Sequence, residues 1–289
     1  MAGVVVLITG ANAGIGKATA FALAGRGATV IMACRNLVAA DAVAEDIRRA
    51  TGNAAVRTIE LDLADLGSVR QCAEQVPATG AGIDVLINNA GGTFRSRTLT
   101  PQGFERTFQV NYLGHYALTR LLLPHMRRRP QARVISVSSF GHWYSRGIRW
   151  NDLSFERRYS PMGAYANAKL AQVLFTAELA RRCGRSDVFA AAVHPGFIAS
   201  EFYDKAGSDL LARALQTVVR ATAKTPAQGA ETSVFLATSG RTDLPNGVYW
   251  ASGRQARPSG AGRDRPAAQR LWDLSEKLIT EAGMTLPAI

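Results

Sequence analysis

In the stretch "GAYANAKLAQ", Tyr165 and Lys169 stand four residues apart, which on a helix puts a phenol and an ammonium on one face. An ammonium near a phenol favours the phenolate and lowers the phenol's pKa, bringing proton transfer near neutral pH within reach. The plainer reading of the same residues is amphipathic helix surface. Ser138 and Ser139, in "VISVSSFGH" (134–142), end an apolar run. A hydroxyl there can bond a substrate carbonyl, or it can simply satisfy backbone groups.

A second set of residues suits an anion. "TGANAGIG" (9–16) follows an apolar run and opens a helical pattern. Gly10 allows the turn, Gly14 lets backbone N–H groups approach a pyrophosphate, and Gly16 permits close helix–strand packing, with Asn12, Ala13 and Ile15 between them. The next run ends "IMACRN" (31–36), where a site for NAD usually wants a carboxylate to accept from the adenosine ribose hydroxyls. Cys34 stands in that place, followed by Arg35 and Asn36. A carboxylate would repel a 2′-phosphate and a guanidinium can bind it bidentately, so the missing acid points to NADP (NADPH) over NAD. Asp62, with Leu63 beside it in "ELDLAD", closes a third run where an oxygen can accept from an adenine amino group; Asp65 reads better as a helix cap. In "INNAGG" (87–92), Asn89 can brace neighbouring backbone, and Ala90 and Gly91 let a ribose come close, a tight turn being the bland alternative.

These residues need elements to hold them. Short β-branched runs at 4–9, 28–33, 55–61, 83–88, 133–138, 188–194 and 247–251 alternate with Ala-rich stretches of helical period, including 14–26 and 37–50. Strands that are apolar throughout suit burial on both faces of a parallel sheet, with helices as crossovers. The fold class is therefore α/β: a single-domain Rossmann-type doubly wound parallel sheet of about seven strands flanked by helices, with a C-terminal helix through "QRLWDLSEKLI". "TPAQ" (225–228) predicts a capping box that opens a further helix. Long insertions near 140–163 and 200–224 fall after strand ends and predict substrate walls, whereas "SGRQARPSGAGRD" (252–264) reads as a mobile basic linker.

The 289 residues are 47% hydrophobic and 19% charged, an ordinary globular balance. Thirty-four Lys and Arg against 22 Asp and Glu give a formal charge of +12, which raises nucleic acid or acidic ligands as partners. No aromatic–basic interleaving or zinc-finger spacing accompanies the arginines, so solvated surface charge is the better reading and no nucleic acid partner is expected. Cys34, Cys72 and Cys183 show no paired spacing, so neither a disulfide framework nor a metal site is suggested, and a reducing cytoplasm fits. No signal peptide precedes "VVVLI" (4–8), a run too short to span a bilayer.

The ordered set TGxxxGIG, NNAG, Asn-x-x-Gly, SS, YxxxK and PG resembles the short-chain dehydrogenase/reductase family across nearly the whole chain. "ACRN" (33–36), "NYLGHYALT" (111–119), "HPGFIASEF" (194–202) and the long gap from Ser139 to Tyr165 resemble its retinol dehydrogenase and protochlorophyllide reductase-like branch, which often carries an N-terminal membrane anchor; none is expected from these residues. The resemblance implies a tetrad: Tyr165 as general acid in reduction, Lys169 lowering its pKa and holding the nicotinamide ribose, Ser139 (with Ser138 as the substitute) orienting a carbonyl, and Asn111 holding a water linked to the lysine. It also implies that Pro195, Gly196, Ile198 and Ser200 hold the nicotinamide carboxamide, Ser200 standing where the family usually has Thr. Hydride transfer to a carbonyl carbon builds negative charge on oxygen, which hydrogen bonds from Ser139 and Tyr165 would stabilise.

The activity so implied is NADPH-dependent reduction of a bulky, mostly apolar ketone or aldehyde. Its reverse, oxidation of a retinol- or steroid-like alcohol, is the alternative. Phe140, Trp143, Tyr144, Trp150, Phe155, Phe197, Phe202 and Tyr203 motivate the apolar substrate. A non-catalytic dinucleotide sensor or nucleic-acid binder is the reading from a different class, and a sensor needs no tetrad. His115, His142 and His194 are expected in structural roles. The resemblance further implies a homodimer or homotetramer through the helices carrying Asn111 and Tyr165, or a monomer as in the retinol dehydrogenase-like branch.

Overall fold

A computed structural model of the chain describes residues 1–78, 82–130, 132–196, 224–240 and 244–289. The seven apolar runs form seven parallel strands: β1 (Val5–Thr9), β2 (Thr29–Cys34), β3 (Val56–Glu60), β4 (Val85–Asn88), β5 (Arg133–Val137), β6 (Phe189–His194) and β7 (Val248–Ala251). Every residue of β1, β4 and β5 is buried, as strands covered on both faces must be. With β8 (Arg254–Ala256) added at one edge, the sheet order is β3-β2-β1-β4-β5-β6-β7-β8, the direction of winding reversing between β1 and β4. That reversal opens the crevice at the carboxyl ends of the strands where open α/β sheets take ligands.

The eighth strand corrects the sequence reading. Residues 252–264 are no linker: β8 (Arg254–Ala256) pairs antiparallel with β7, Trp250 opposite Gln255 and Ala251 opposite Arg254. Ser252 and Gly253, at φ 50° and 72°, form the two-residue left-handed turn of a tight hairpin. A 3-10 turn at Ala261–Arg263 then leads directly into the last helix.

Helices cover both faces. On one lie α1 (Gly14–Ala24), α2 (Leu37–Thr51) and α7 (Pro226–Thr238), packed over Val6, Ile8, Val30, Ile87 and Ile135. The predicted capping box opens α7: Thr225 Oγ1 accepts from Gln228 N at 3.2 Å, and Gln228 Oε1 accepts from Thr225 N at 2.9 Å. On the other face lie α3 (Leu66–Ala78), α5 (Gly114–Met126), α6 (Pro161–Asp187) and α8 (Arg265–Glu281), over Leu7, Leu86 and Val134. A short turn α4 (Arg106–Phe108) and a π-helical turn at Gln109–Leu113 lead into α5 without a break.

The C-terminal helix lies across α5 and α6. Trp272 stacks on Phe175 with centroids 5.8 Å apart and meets Tyr116 edge-on at 5.1 Å, while Tyr112 Oη sits 2.7 Å from Ser275 Oγ. Arg120, 2% exposed, donates to Glu276 Oε1 at 3.2 Å and to the Pro287 carbonyl at 2.6 Å. The C-terminal helix thus buries part of the outer face of α5 and α6.

Candidate active site

The ends of β1, β4, β5 and β6 and the first turns of α1 and α6 meet at one rim. On α6, Lys169 is 4% exposed and its ammonium donates to the Val137 carbonyl at 2.8 Å and to Gln172 Oε1 at 3.0 Å. Its Nζ lies 5.6 Å from the centroid of the Tyr165 ring. Burial lowers the lysine's pKa to about 7 from 10.5, because a charge that has left water is stabilised by few partners.

The two serines part company at the end of β5. Ser138, 2% exposed, donates its hydroxyl to the Lys169 carbonyl at 2.8 Å and is tied into α6. Ser139 opens the 3-10 turn Phe140–Tyr144, its Oγ accepting from Gly141 N at 3.0 Å. Gly141 is close to both that hydroxyl and Tyr165: a Cβ there would stand 2.9 Å from Tyr165 Cε1 and 3.4 Å from Ser139 Oγ. Ser139 is therefore the serine that shares a surface with Tyr165. His142 fixes this turn. Its Nε2 accepts from Ser259 N at 3.1 Å, so Nδ1 carries the proton and donates to the Ser139 carbonyl at 2.6 Å. Burial lowers the His142 pKa and keeps it in this neutral form.

Asn111 lies in the π-helical turn that leads into α5. Its Nδ2 donates to the carbonyls of Gly92 at 2.8 Å and Thr107 at 2.9 Å, and its Oδ1 accepts from Gly92 N at 3.0 Å. A side chain on Gly91 would meet Asn111 Oδ1 at 2.4 Å and Lys169 Nζ at 3.3 Å, so glycine is required there. Behind it runs a buried chain that sequence reasoning missed. Thr9 Oγ1 accepts from the N–H groups of Asn89 and Ala90, both at 2.9 Å, and so donates to His115 Nε2 at 2.9 Å. His115 Nδ1 then donates to the Asn111 carbonyl at 3.3 Å. Burial, with the Lys169 charge adding to it, lowers the His115 pKa to about 3. All three histidines named from sequence are held by structural hydrogen bonds, His194 Nδ1 accepting from Phe140 N at 3.1 Å.

The glycine loop is built for an anionic ligand. No side chain caps α1 and no acidic residue occupies its first turn, so its N-terminal N–H groups and dipole face the crevice uncompensated. Gly10 and Gly14 adopt φ of 65° and 52°, and a Cβ on Gly16 would strike the Gly10 carbonyl at 2.3 Å and Asn89 Nδ2 at 2.5 Å. Asn12, Ala13 and Ile15 complete the turn. Asn89 braces the loop as expected, donating to the Thr9 carbonyl at 2.8 Å. Cys34 does not stand in for a ribose-binding acid: it is 2% exposed and turned beneath the loop against the backbone of Ala11 and Asn12. Arg35 is the first exposed side chain after β2.

Other residues named from sequence have local duties. Asn36 Oδ1 caps α2 through Ala39 N at 3.0 Å. Asp62 Oδ1 accepts from Ala64 N at 2.9 Å, and Asp65 Oδ1 accepts from Gly67 N at 2.9 Å as the cap of α3. Leu63 is buried, its carbonyl accepting from Gln109 Nε2 at 3.3 Å. Pro195 and Gly196 follow β6, Gly196 at φ 95°. Ile198, Ser200, Phe197, Phe202, Tyr203 and the wall at 200–224 up to residue 223 lie outside the described residues. The other wall divides: Phe140, Trp143 and Tyr144 are exposed by 36%, 47% and 68%, Phe140 stacked on Trp143, whereas Phe155 is buried at 1% and Trp150 lies under Arg270.

A family model described as short chain dehydrogenase matches residues 4–150. Retinol dehydrogenase 12 of Mus musculus is 40% identical over 277 residues, which cover 96% of this chain and 86% of that protein. The chain belongs to the short chain dehydrogenase family. Its likeness within the family runs to the retinol dehydrogenase branch. Among solved structures, an uncharacterised protein from Mycobacterium paratuberculosis superposes with a TM-score of 0.77 at 38% identity, covering 99% of this chain and 96% of that one. A Beutenbergia cavernae protein described as an NAD(P)-dependent gluconate 5-dehydrogenase, solved with bound NADP, gives a TM-score of 0.71 at 28% identity over 87% of this chain and 96% of that one. The protein is accordingly an oxidoreductase of a family that uses NAD or NADP. No described helix is long and apolar enough to cross a membrane.

Proposed function

We propose that this protein is an NADPH-dependent reductase of a ketone or aldehyde on a bulky, mostly apolar molecule. Running the same chemistry in reverse makes it an NADP-dependent dehydrogenase of a retinol- or steroid-like alcohol. The observation that carries this reading is that the Ser139 hydroxyl and the Tyr165 ring both border Gly141, with the Lys169 ammonium 5.6 Å from the ring centroid.

The α1 N-terminus, Gly91 and Lys169 would hold a nicotinamide nucleotide, which when bound would supply the hydride. The chain's own residues do the rest. Ser139 and Tyr165 hydrogen-bond to the carbonyl oxygen and stabilise the charge that grows there, a contribution of roughly 2.7–4 kcal/mol per well-placed donor. Tyr165 passes its proton to that oxygen, and the Lys169 ammonium stabilises the phenolate left behind. Asn111 holds the loop at Gly91 and Gly92 against the lysine and serves the route by which the proton is replaced. Pro195 and Gly196, together with Ile198 and Ser200, which lie outside the described residues, would hold the nicotinamide carboxamide.

Arg35 supports NADP. With Cys34 buried and no carboxylate at the end of β2, the exposed Arg35 guanidinium would be the group nearest an adenosine ribose, and it would favour a 2′-phosphate. The bound NADP of the Beutenbergia protein is consistent with that choice. The exposed Phe140, Trp143 and Tyr144 next to Ser139 support an apolar substrate.

A panel of retinoids, steroid ketones and aromatic ketones, followed by NADPH oxidation with NADH in parallel, tests the reading. Turnover with NADPH at the lower KM is expected, and Arg35→Asp should invert the preference by about tenfold or more, the scale of one lost charge-assisted contact. A wild-type preference for NADH would overturn the cofactor assignment.

A further inference from the structure

Tyr165, Lys169 and Gln172 stand at i, i+4 and i+7 on α6 and so share one face. Gln172 is 1% exposed, its Oε1 accepts from the Lys169 ammonium at 3.0 Å, and its Nε2 is buried with no hydrogen-bond partner. A buried amide that leaves a donor unsatisfied costs stability that an apolar side chain of similar volume would not. Packing therefore gives no reason for glutamine at this position; the contact with Lys169 does. The ammonium has three N–H donors, of which the Val137 carbonyl takes one and Gln172 another. The third remains for the side next to Gly91, where a Cβ would lie 3.3 Å from Nζ.

We infer that Gln172 is a positioning residue of this oxidoreductase: its amide oxygen, with the Val137 carbonyl, holds the Lys169 ammonium charged and turned so that one N–H is left for the cofactor beside Gly91. The inference rests on the proposed role of Lys169. Among the described residues no carboxylate lies within ion-pair distance of Lys169, so these two neutral oxygens are its acceptors. The titratable groups that face it are Tyr165 on its own helix and His115 on α5, and burial keeps His115 uncharged. Removing one acceptor from a buried ammonium favours the neutral amine, and a carboxylate in place of the amide favours the ammonium.

Lys169 is one of five lysines in the chain, so its titration can be followed directly by NMR of lysine labelled at Cε in the intact protein. In wild type the midpoint should fall near neutrality, at about 7. It should drop by about one pH unit in Gln172→Met, the shift expected for losing one hydrogen bond to a charge. It should rise by at least as much in Gln172→Glu. The alkaline limb of the pH profile of kcat/KM should move the same way in each variant, while both keep the wild-type circular dichroism spectrum. The opposite signs separate positioning from packing, since a structural role would lower activity in both variants with the limb unmoved. An unchanged Lys169 titration in both variants overturns the inference. Activity of Tyr165→Phe decides the proposed chemistry separately, because the NMR titration needs no turnover.

Discussion

Successive residues of a strand point to opposite faces, so at the end of β5 one serine hydroxyl must turn into the helix layer and the other toward the crevice. Ser138 takes the first place, bonded to the Lys169 carbonyl, and Ser139 the second, bordering Gly141 as Tyr165 does. Ser139→Ala should therefore lower kcat/KM by about 10²–10³, the usual loss of one donor to a developing oxyanion, with stability nearly unchanged. Ser138→Ala should cost about 1 kcal/mol of stability for one buried hydrogen bond and leave most of the activity. Urea denaturation and steady-state kinetics on the pair check this, and a larger activity loss in Ser138→Ala would exchange the two roles. Both serines were visible in the sequence, but which one faces Tyr165 depends on register and turn geometry that composition does not reveal. Gln172 was invisible for a different reason: a glutamine three residues after a lysine is common on helices, and only burial beside an ammonium gives it meaning.

Among the elements, the π-helical turn before α5 has an anchor in the chain Asn89/Ala90–Thr9–His115–Asn111. It joins the ends of β1 and β4 to the residue that clamps Gly92, and it works only with His115 neutral, since Nε2 must accept. The His115 pKa is lowered from 6.5 to about 3. Between those values the unfolded chain binds the extra proton, so stability is complete above about pH 6.5 and falls as pH drops, by up to roughly 1.4 kcal/mol per pH unit. His142 and His194 are lowered in the same sense and add to the slope. His115→Gln should be less stable at neutral pH but lose less on acidification, read as the change in urea midpoint between about pH 7 and pH 5. An equal slope in variant and wild type would remove His115 from the account. The parallel strands were legible because burial on both faces leaves them apolar throughout. β8 was not, since Arg254 and Gln255 are exposed and only the Ser252–Gly253 turn marks the hairpin.

For the whole molecule, the sheet's change of winding between β1 and β4 brings five segments distant in sequence to one crevice. The glycine loop, the Gly91 turn, Asn111, Ser139 and the Tyr165–Lys169 pair each have another reading alone; together they form one site because the doubly wound order places their strand ends side by side. α8 covers part of one helix layer, burying Trp272 against Tyr116 and Phe175. The motif order made the fold and most of the site legible, while the C-terminal cover was not, because its contacts are between helices whose faces no local pattern pairs. The central claim is that this arrangement makes Tyr165 the proton donor to a carbonyl reduced by NADPH. Tyr165→Phe keeps the ring and removes only the hydroxyl. Fluorescence titration should give an NADPH affinity within a few-fold of wild type, while the single-turnover rate of carbonyl reduction falls by about 10³ or more, as expected for loss of a general acid that also binds the oxyanion. A single-turnover rate within tenfold of wild type would contradict the account.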